Sequence, residues 1–246
     1  MTDVLHLLRG ALLLSFLLLT ACGADDDEPA PRGSIGVRAY GESFIEDGIP
    51  KDAVDDDWAI QFDRFDVRFR DIVVAGVALD DPETLDLALD SDGDGHELGT
   101  VSVAAGAHAR PAFGIARVEA EGSAERDGVL KSFHWVFAAP TNYEHCETTT
   151  KVAAGETATF QITVHADHLF YDSLVSQTPQ LLFQPIADAD ADEDGEVTQA
   201  ELAARDIGGY DPGNEDIGDL WSFLLAQQRT LGHVDGEGHC EAAAAD

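Results

Sequence analysis

The chain has 246 residues, with 48 Asp and Glu against 14 Lys and Arg, for a formal net charge of −34. Such an excess of acid excludes nucleic acid and anionic membrane surfaces as partners and favours cations, or a salty medium in which a solvated acidic surface keeps the protein soluble. Hydrophobic residues make up 44 % of the chain, so a packed core is expected. The roughly 200 residues after the N-terminal region suffice for one domain, or one domain with an appendage.

The chain opens with LLRGALLLSFLLLTAC, in which Arg9 precedes an apolar core from Ala11 to Leu19. That core falls short of the roughly 20 apolar residues that span a bilayer, but it suits a secretory leader. Its close, Leu19-Thr20-Ala21-Cys22, resembles the bacterial lipobox. The resemblance implies that residues 1–21 are a lipoprotein signal peptide and that Cys22 is lipidated. The protein would then sit in the cell envelope, on the periplasmic or outer-membrane side, touching the membrane only through its lipid. The following GADDDEPAPRGS is acidic and rich in Pro and Gly. It cannot bury apolar surface, and the segment 22–33 reads as a flexible tether.

From 34 to 166 the pattern is strand-like. WAIQFDRFDVRF alternates Trp58, Ile60 and Phe62, then slips phase to Phe65, Val67 and Phe69, which predicts a bulge or bend within one long strand. TLDLALD alternates Leu85, Leu87 and Leu89; SFHWVF places Phe133, Trp135 and Phe137 on one face; TATFQITVH does the same with Ala158, Phe160, Ile162 and Val164. Short alternating strands between Gly- and Asp-rich turns predict a mainly β fold, an antiparallel β-sandwich of Ig-like or jelly-roll type.

The segment 167–246 predicts helices packed on that sandwich. DHLFYDSLV reads as a helical turn with Asp167 as N-cap, and TQAELAARD as a short helix. NEDIGDLWSFLLAQQRTLG reads as the longest helix, capped by Asn214, with Ile217, Leu220, Trp221, Leu224 and Leu225 as its core-facing stripe.

Between these helices lies DADADEDGEVTQAEL, residues 188–202. Counted from Asp190, carboxylates stand at loop positions 1, 3 and 5 (Asp190, Asp192, Asp194), and Gly195 at position 6 permits a sharp turn. Glu196 at position 7 offers its carbonyl, Val197 is the apolar eighth residue, Thr198 is ninth, and Glu201 is the twelfth, bidentate carboxylate. This register resembles the EF-hand loop, whose spacing gathers about seven oxygens around one Ca²⁺. Pro185 makes the entering helix short or late to start, and no second such loop follows, so this lone EF-hand-like loop is expected either to be weaker or to lean on the sandwich instead. With the initiator as its one methionine, the chain lacks the Met-rich groove of a calcium sensor, and the ion is expected to be structural. A second candidate, LDSDGDGHELG, repeats half the loop with Asp90, Asp92 and Asp94. Position 12 there is Val101, leaving Glu97 as a substitute ligand or the stretch as a hairpin turn.

The cysteines left after the leader, Cys146 and Cys240, are most simply a disulfide in an oxidising compartment; each follows a histidine (His145, His239), which makes a metal site the rival reading. His165 and His168 bracket a strand-to-helix junction, and His134 lies on the face opposite Phe133 and Trp135. Such imidazoles suit copper or zinc, or simply hydrogen-bond and face solvent. FHWVFAAPTNYEHCETTT and GETATFQITVHADHLFYD together resemble periplasmic β-sandwich proteins of the methanobactin-associated copper-binding family. That resemblance implies a non-catalytic copper-binding role, with His134, His145 and His165 at matching positions and His168 beside them. The chain departs from the pattern in its two cysteines and its added acidic loop. No nucleophile elbow, zinc-protease helix or phosphate loop is present, so no enzymatic activity is expected. The sequence thus predicts a lipid-anchored, extracytoplasmic calcium-binding protein of binding or structural type, with copper handling as the alternative.

Overall fold

Alternation of buried and exposed residues builds the first strand, β1 (Arg32–Tyr40), which turns Ile35, Val37 and Ala39 inward. The structure, a computed structural model, describes residues 30–80 and 84–245; the leader, Cys22 and most of the tether lie outside the described residues. β1 opens at Arg32, so the first described strand overlaps the segment read as tether. A short helix, α1 (Glu42–Glu46), leads to β2 (Ala59–Val74). β2 is one strand across the predicted slip: its register against the neighbouring strand shifts between Phe62 and Arg64, so Phe62 and Phe65 both point into the core.

The next elements are β3 (Val77–Ala78), β4 (Leu85–Asp86), β5 (His96–Ala104), β6 (Ala112–Arg126), β7 (Val129–Phe137), β8 (Thr141–Glu144) and β9 (Thr157–Val164). The C-terminal part adds α2 (Gln184–Ala187), β10 (Glu196–Val197), α3 (Gln199–Ala204), α4 (Leu220–Gln227), β11 (Gly232–Val234) and β12 (Glu241–Ala244). One sheet runs β11-β9-β1-β5; the larger runs β10-β7-β6-β2-β3, with β4 paired to β2 and β8 joining β6 to β12. The fold is mainly β, with the two sheets packed on each other around a shared core. Ile35, Val37, Phe160 and Ile162 come from the smaller sheet, and Phe65, Phe69, Trp135 and Phe137 from the larger. Phe133 stacks on Trp135, and Phe137 stacks on Trp221 of α4 with ring centres 5.1 Å apart, which seals the helix against the sheet. Each such side chain contributes on the order of 2–3 kcal/mol by leaving water.

Several expectations are corrected. The sandwich is not wholly antiparallel: β1 pairs β9 in parallel, Ser34 opposite Thr157, and β10 pairs β7 in parallel. Both pairs join segments far apart in sequence, so no hairpin forces them antiparallel. TLDLALD is a strand only at Leu85–Asp86; the Asp86 carboxylate accepts from the Phe65 and Ala88 amides, turning the chain so that Leu87 is buried and Leu89 is exposed. Asp167 is no N-cap. It lies within a 3₁₀ turn, Ala166–Phe170, and its carboxylate accepts from the Tyr171 hydroxyl. The longest α-helix starts at Leu220, not after Asn214, because Asp219 accepts from the Ser222 amide at 2.9 Å and caps it there. Finally, 167–246 is not only helical. It carries β10, β11 and β12, since sheet edges recruit segments as short as GHV and even an alanine run whose intrinsic preference is helical.

Candidate metal centres

The acidic loop folds as a turn-rich cup between α2 and α3. Pro185 occupies the first turn of α2, which is only four residues long, as the sequence predicts. The carboxylates of Asp190, Asp192 and Asp194 each offer an oxygen within 4.8 Å of the others. Gly195 has φ +91°, a left-handed conformation that glycine adopts without strain, and its amide donates to Asp190 Oδ2 at 3.0 Å. Asp194 and Glu196 amides donate to Asp192 and Asp194 in turn. Glu201 ties the two ends together: its Oε1 accepts from the Ala191 amide and its Oε2 from the Thr198 amide, both at 2.9 Å. Thr198 caps α3 and completes a capping box with Glu201. These bonds hold the Glu201 carboxyl below the usual range, the Thr198 amide contributing most. The Asp190 side chain is wholly shielded from solvent, yet its Oδ1 has no hydrogen-bond partner. A shielded carboxylate oxygen without a donor is costly unless a cation serves it.

The loop docks on the sandwich through β10, which pairs β7. Glu196 and Val197 align with Ser132 and Phe133 of β7, the Ser132 amide donates to the Gly195 carbonyl, and Trp135 Nε1 donates to the Val197 carbonyl at 2.8 Å. Lys131 Nζ, also from β7, donates to Asp190 Oδ2. That ammonium holds the Asp190 carboxyl below its ordinary range.

A second group of donors forms at the end of β9. His165 follows the strand directly, His168 lies in the 3₁₀ turn after it, and His233 sits in β11, which pairs β9 with His233 opposite Thr163. Beyond His233 the chain turns back, with Val234 bridged to Gly238, and brings His239 against it. Ring centres are 4.4 Å apart for His165 and His233, 5.1 Å for His168 and His233, 5.3 Å for His165 and His168, and 5.1 Å for His233 and His239. His168 Nδ1 meets the Thr230 carbonyl at 2.9 Å and His165 Nε2 meets the Gly236 carbonyl at 3.2 Å. A carbonyl only accepts, so each of those nitrogens carries a proton. His165 Nδ1 lies 3.4 Å from Glu42 Oε2; Glu237 completes this carboxylate–imidazole group. Asp167 lies beside His165 and His168 in another such group. His233 Nδ1 is buried without a partner. Burial, reinforced by His165, His168 and His239, pushes the His233 pKa down to about 3, and burial also lowers that of His168. Neutral rings with free lone pairs are the form in which imidazole ligates a metal.

The remaining sequence candidates lie elsewhere. His134 is on the open face of the larger sheet, 2.7 Å from Glu119, within a network that includes Arg64, Arg117 and Glu121. The exposed His145 faces Glu241 at 3.0 Å. Of the four histidines singled out from the sequence, then, only His165 and His168 come together. Asp90 Oδ1 accepts from the Asp92 amide in a tight turn before β5. Among the described residues, the grouped acidic ligands include Asp190, Asp192 and Asp194 but not Asp90, Asp92 and Asp94. Cys146 and Cys240 are bonded to each other, so neither offers a thiolate to a metal.

Sequence reasoning did not find His233, Glu42, Glu237 or Lys131. The stretch GHVDGEGHC held the one available signal for the first and third, two histidines flanking a glycine-rich turn with two acids. Among the described residues, no helix is long and apolar enough to cross a membrane. No protein-family model matches the chain, and neither the curated proteins nor the solved structures contain a match to it.

Proposed function

We propose that the chain is a lipid-anchored, extracytoplasmic metal-binding protein without catalytic activity, in which the loop from Asp190 to Glu201 holds one calcium ion. That ion fastens the C-terminal segment to the sandwich. The observation that carries this reading is the shielded, unpartnered Oδ1 of Asp190 beside the carboxylates of Asp192 and Asp194. The donor set is all oxygen and acidic, which suits a hard divalent cation. Asp190, Asp192, Asp194 and Glu201 would hold it by carboxylate, Glu196 by its carbonyl and Thr198 directly or through water. Melting the full chain in detergent with calcium and then with a chelator tests the reading. A melting point raised by calcium and not by an equal concentration of sodium supports it; identical curves refute it.

A second reading is favoured by the convergence of His165, His168, His233 and His239, with ring centres 4.4 to 5.3 Å apart where they touch. Imidazole nitrogens with carboxylates at hand suit copper or zinc rather than calcium. This site would be the working centre and the calcium loop its scaffold. Equilibrium dialysis of the full chain against copper and zinc, with and without the His233→Ala change, decides it. Loss of tight binding in the variant supports the reading, and unchanged binding overturns it.

A further inference from the structure

The ion loop has an unusual neighbour. Lys131, one of three lysines in the chain, projects from β7 and bonds Asp190 Oδ2. The same oxygen takes the Gly195 amide, while Oδ1 is left without a partner among the loop carboxylates. Pairing of β10 with β7 fixes the lysine there: Ser132, its immediate neighbour, aligns with Glu196 and donates to the Gly195 carbonyl. The Lys131 side chain is itself mostly shielded from solvent, so its charge is felt at short range.

We infer that Lys131 sets the calcium affinity of the loop: it orients Asp190 through the rear oxygen and, as a fixed positive charge beside the first ligand, weakens the grip on the ion. The inference rests on the calcium reading. Affinity in loops of this kind follows ligand charge and rigidity, and both pass through Asp190 here. A divalent ion taken up at Oδ1 would share one carboxylate with the ammonium already on Oδ2. The ion pays for that proximity, whereas the empty loop gains a counter-charge that keeps it folded. Lys131 is thus a positioning residue that trades affinity for order in the absence of calcium.

The test is calcium titration of the full chain in detergent, as wild type, Lys131→Met and Lys131→Arg. Methionine keeps most of the length and removes the charge; arginine keeps the charge. The expected result is about tenfold tighter calcium binding by Lys131→Met, a calcium-free melting point below that of the wild type, and wild-type affinity in Lys131→Arg. Equal or weaker binding by a Lys131→Met protein that still melts cooperatively overturns the inference and leaves the calcium reading standing. Absence of calcium uptake by the wild type overturns that reading, and this inference falls with it.

Discussion

Replacing Glu201 by Gln probes the loop with little change of shape. In the structure Glu201 accepts from the amides of Ala191 and Thr198 through its two oxygens, so it closes the loop and caps α3 together. Glutamine retains one acceptor and loses the other along with the charge. Without calcium the variant should therefore lose about 1 kcal/mol, the usual worth of a cap or a single hydrogen bond. For a domain of this size that is a fall of roughly 2–4 °C in melting temperature. Calcium separates the two proteins more sharply. At a free concentration of about 100 times the dissociation constant, the wild type gains about 2.7 kcal/mol, or roughly 5–10 °C. The variant lacks the bidentate ligand and should gain almost nothing at the same concentration. Differential scanning calorimetry of both proteins, in chelator and in calcium, measures all four midpoints. A Glu201→Gln protein that rises as far as the wild type would mean that calcium acts somewhere other than this loop.

His233→Ala should weaken copper or zinc binding by about tenfold or more while leaving the calcium-induced rise in melting temperature intact, as seen by dialysis and calorimetry on one preparation. Burial keeps His233 neutral down to about pH 3, whereas the unfolded chain takes up that proton near pH 6.5. Stability of the metal-free protein is thus full above about pH 6.5 and declines on acidification, by at most about 2 kcal/mol from this residue at pH 5. Urea melts at pH 7.5 and pH 5 check the sign, and removing the imidazole in His233→Ala should flatten the trend. Cys146 and Cys240 are 94 positions apart, so a Cys146→Ser, Cys240→Ser double variant should lose about 4 kcal/mol in chemical denaturation. A Cβ at Gly122 would press into the Gln61 carbonyl oxygen across the β2–β6 ladder, and Gly122→Ala should cost about 1–3 kcal/mol in the same assay.

What could be read from the sequence was local. Asp190, Asp192 and Asp194 are close in sequence, and their spacing was enough to group their carboxylates and to put a glycine at the positive φ of Gly195. The slip in β2 was legible because a period of two breaks visibly when a bulge intervenes between Phe62 and Phe65. The histidine group was not, since its members come from the end of β9, from β11 and from beyond a turn, and only the pairing of those strands unites them. Lys131 is 59 positions from Asp190, and no local pattern links them. The start of α4 was misplaced for another reason. Asn214, Glu215 and Asp216 resemble an acidic first turn, but Asp219 has the side-chain bond to an amide that sets the actual boundary.

Both sheets take an edge strand from residues 232–244: β11 lies on β9, and β12 lies on β8. Until those residues dock, β8 and β9 each present an open hydrogen-bonding edge. Bare edges invite pairing with other chains, and a formal charge of −34 supplies repulsion that keeps such partly folded molecules apart. The acidic surface thus protects the protein before it has a complete fold to stabilise.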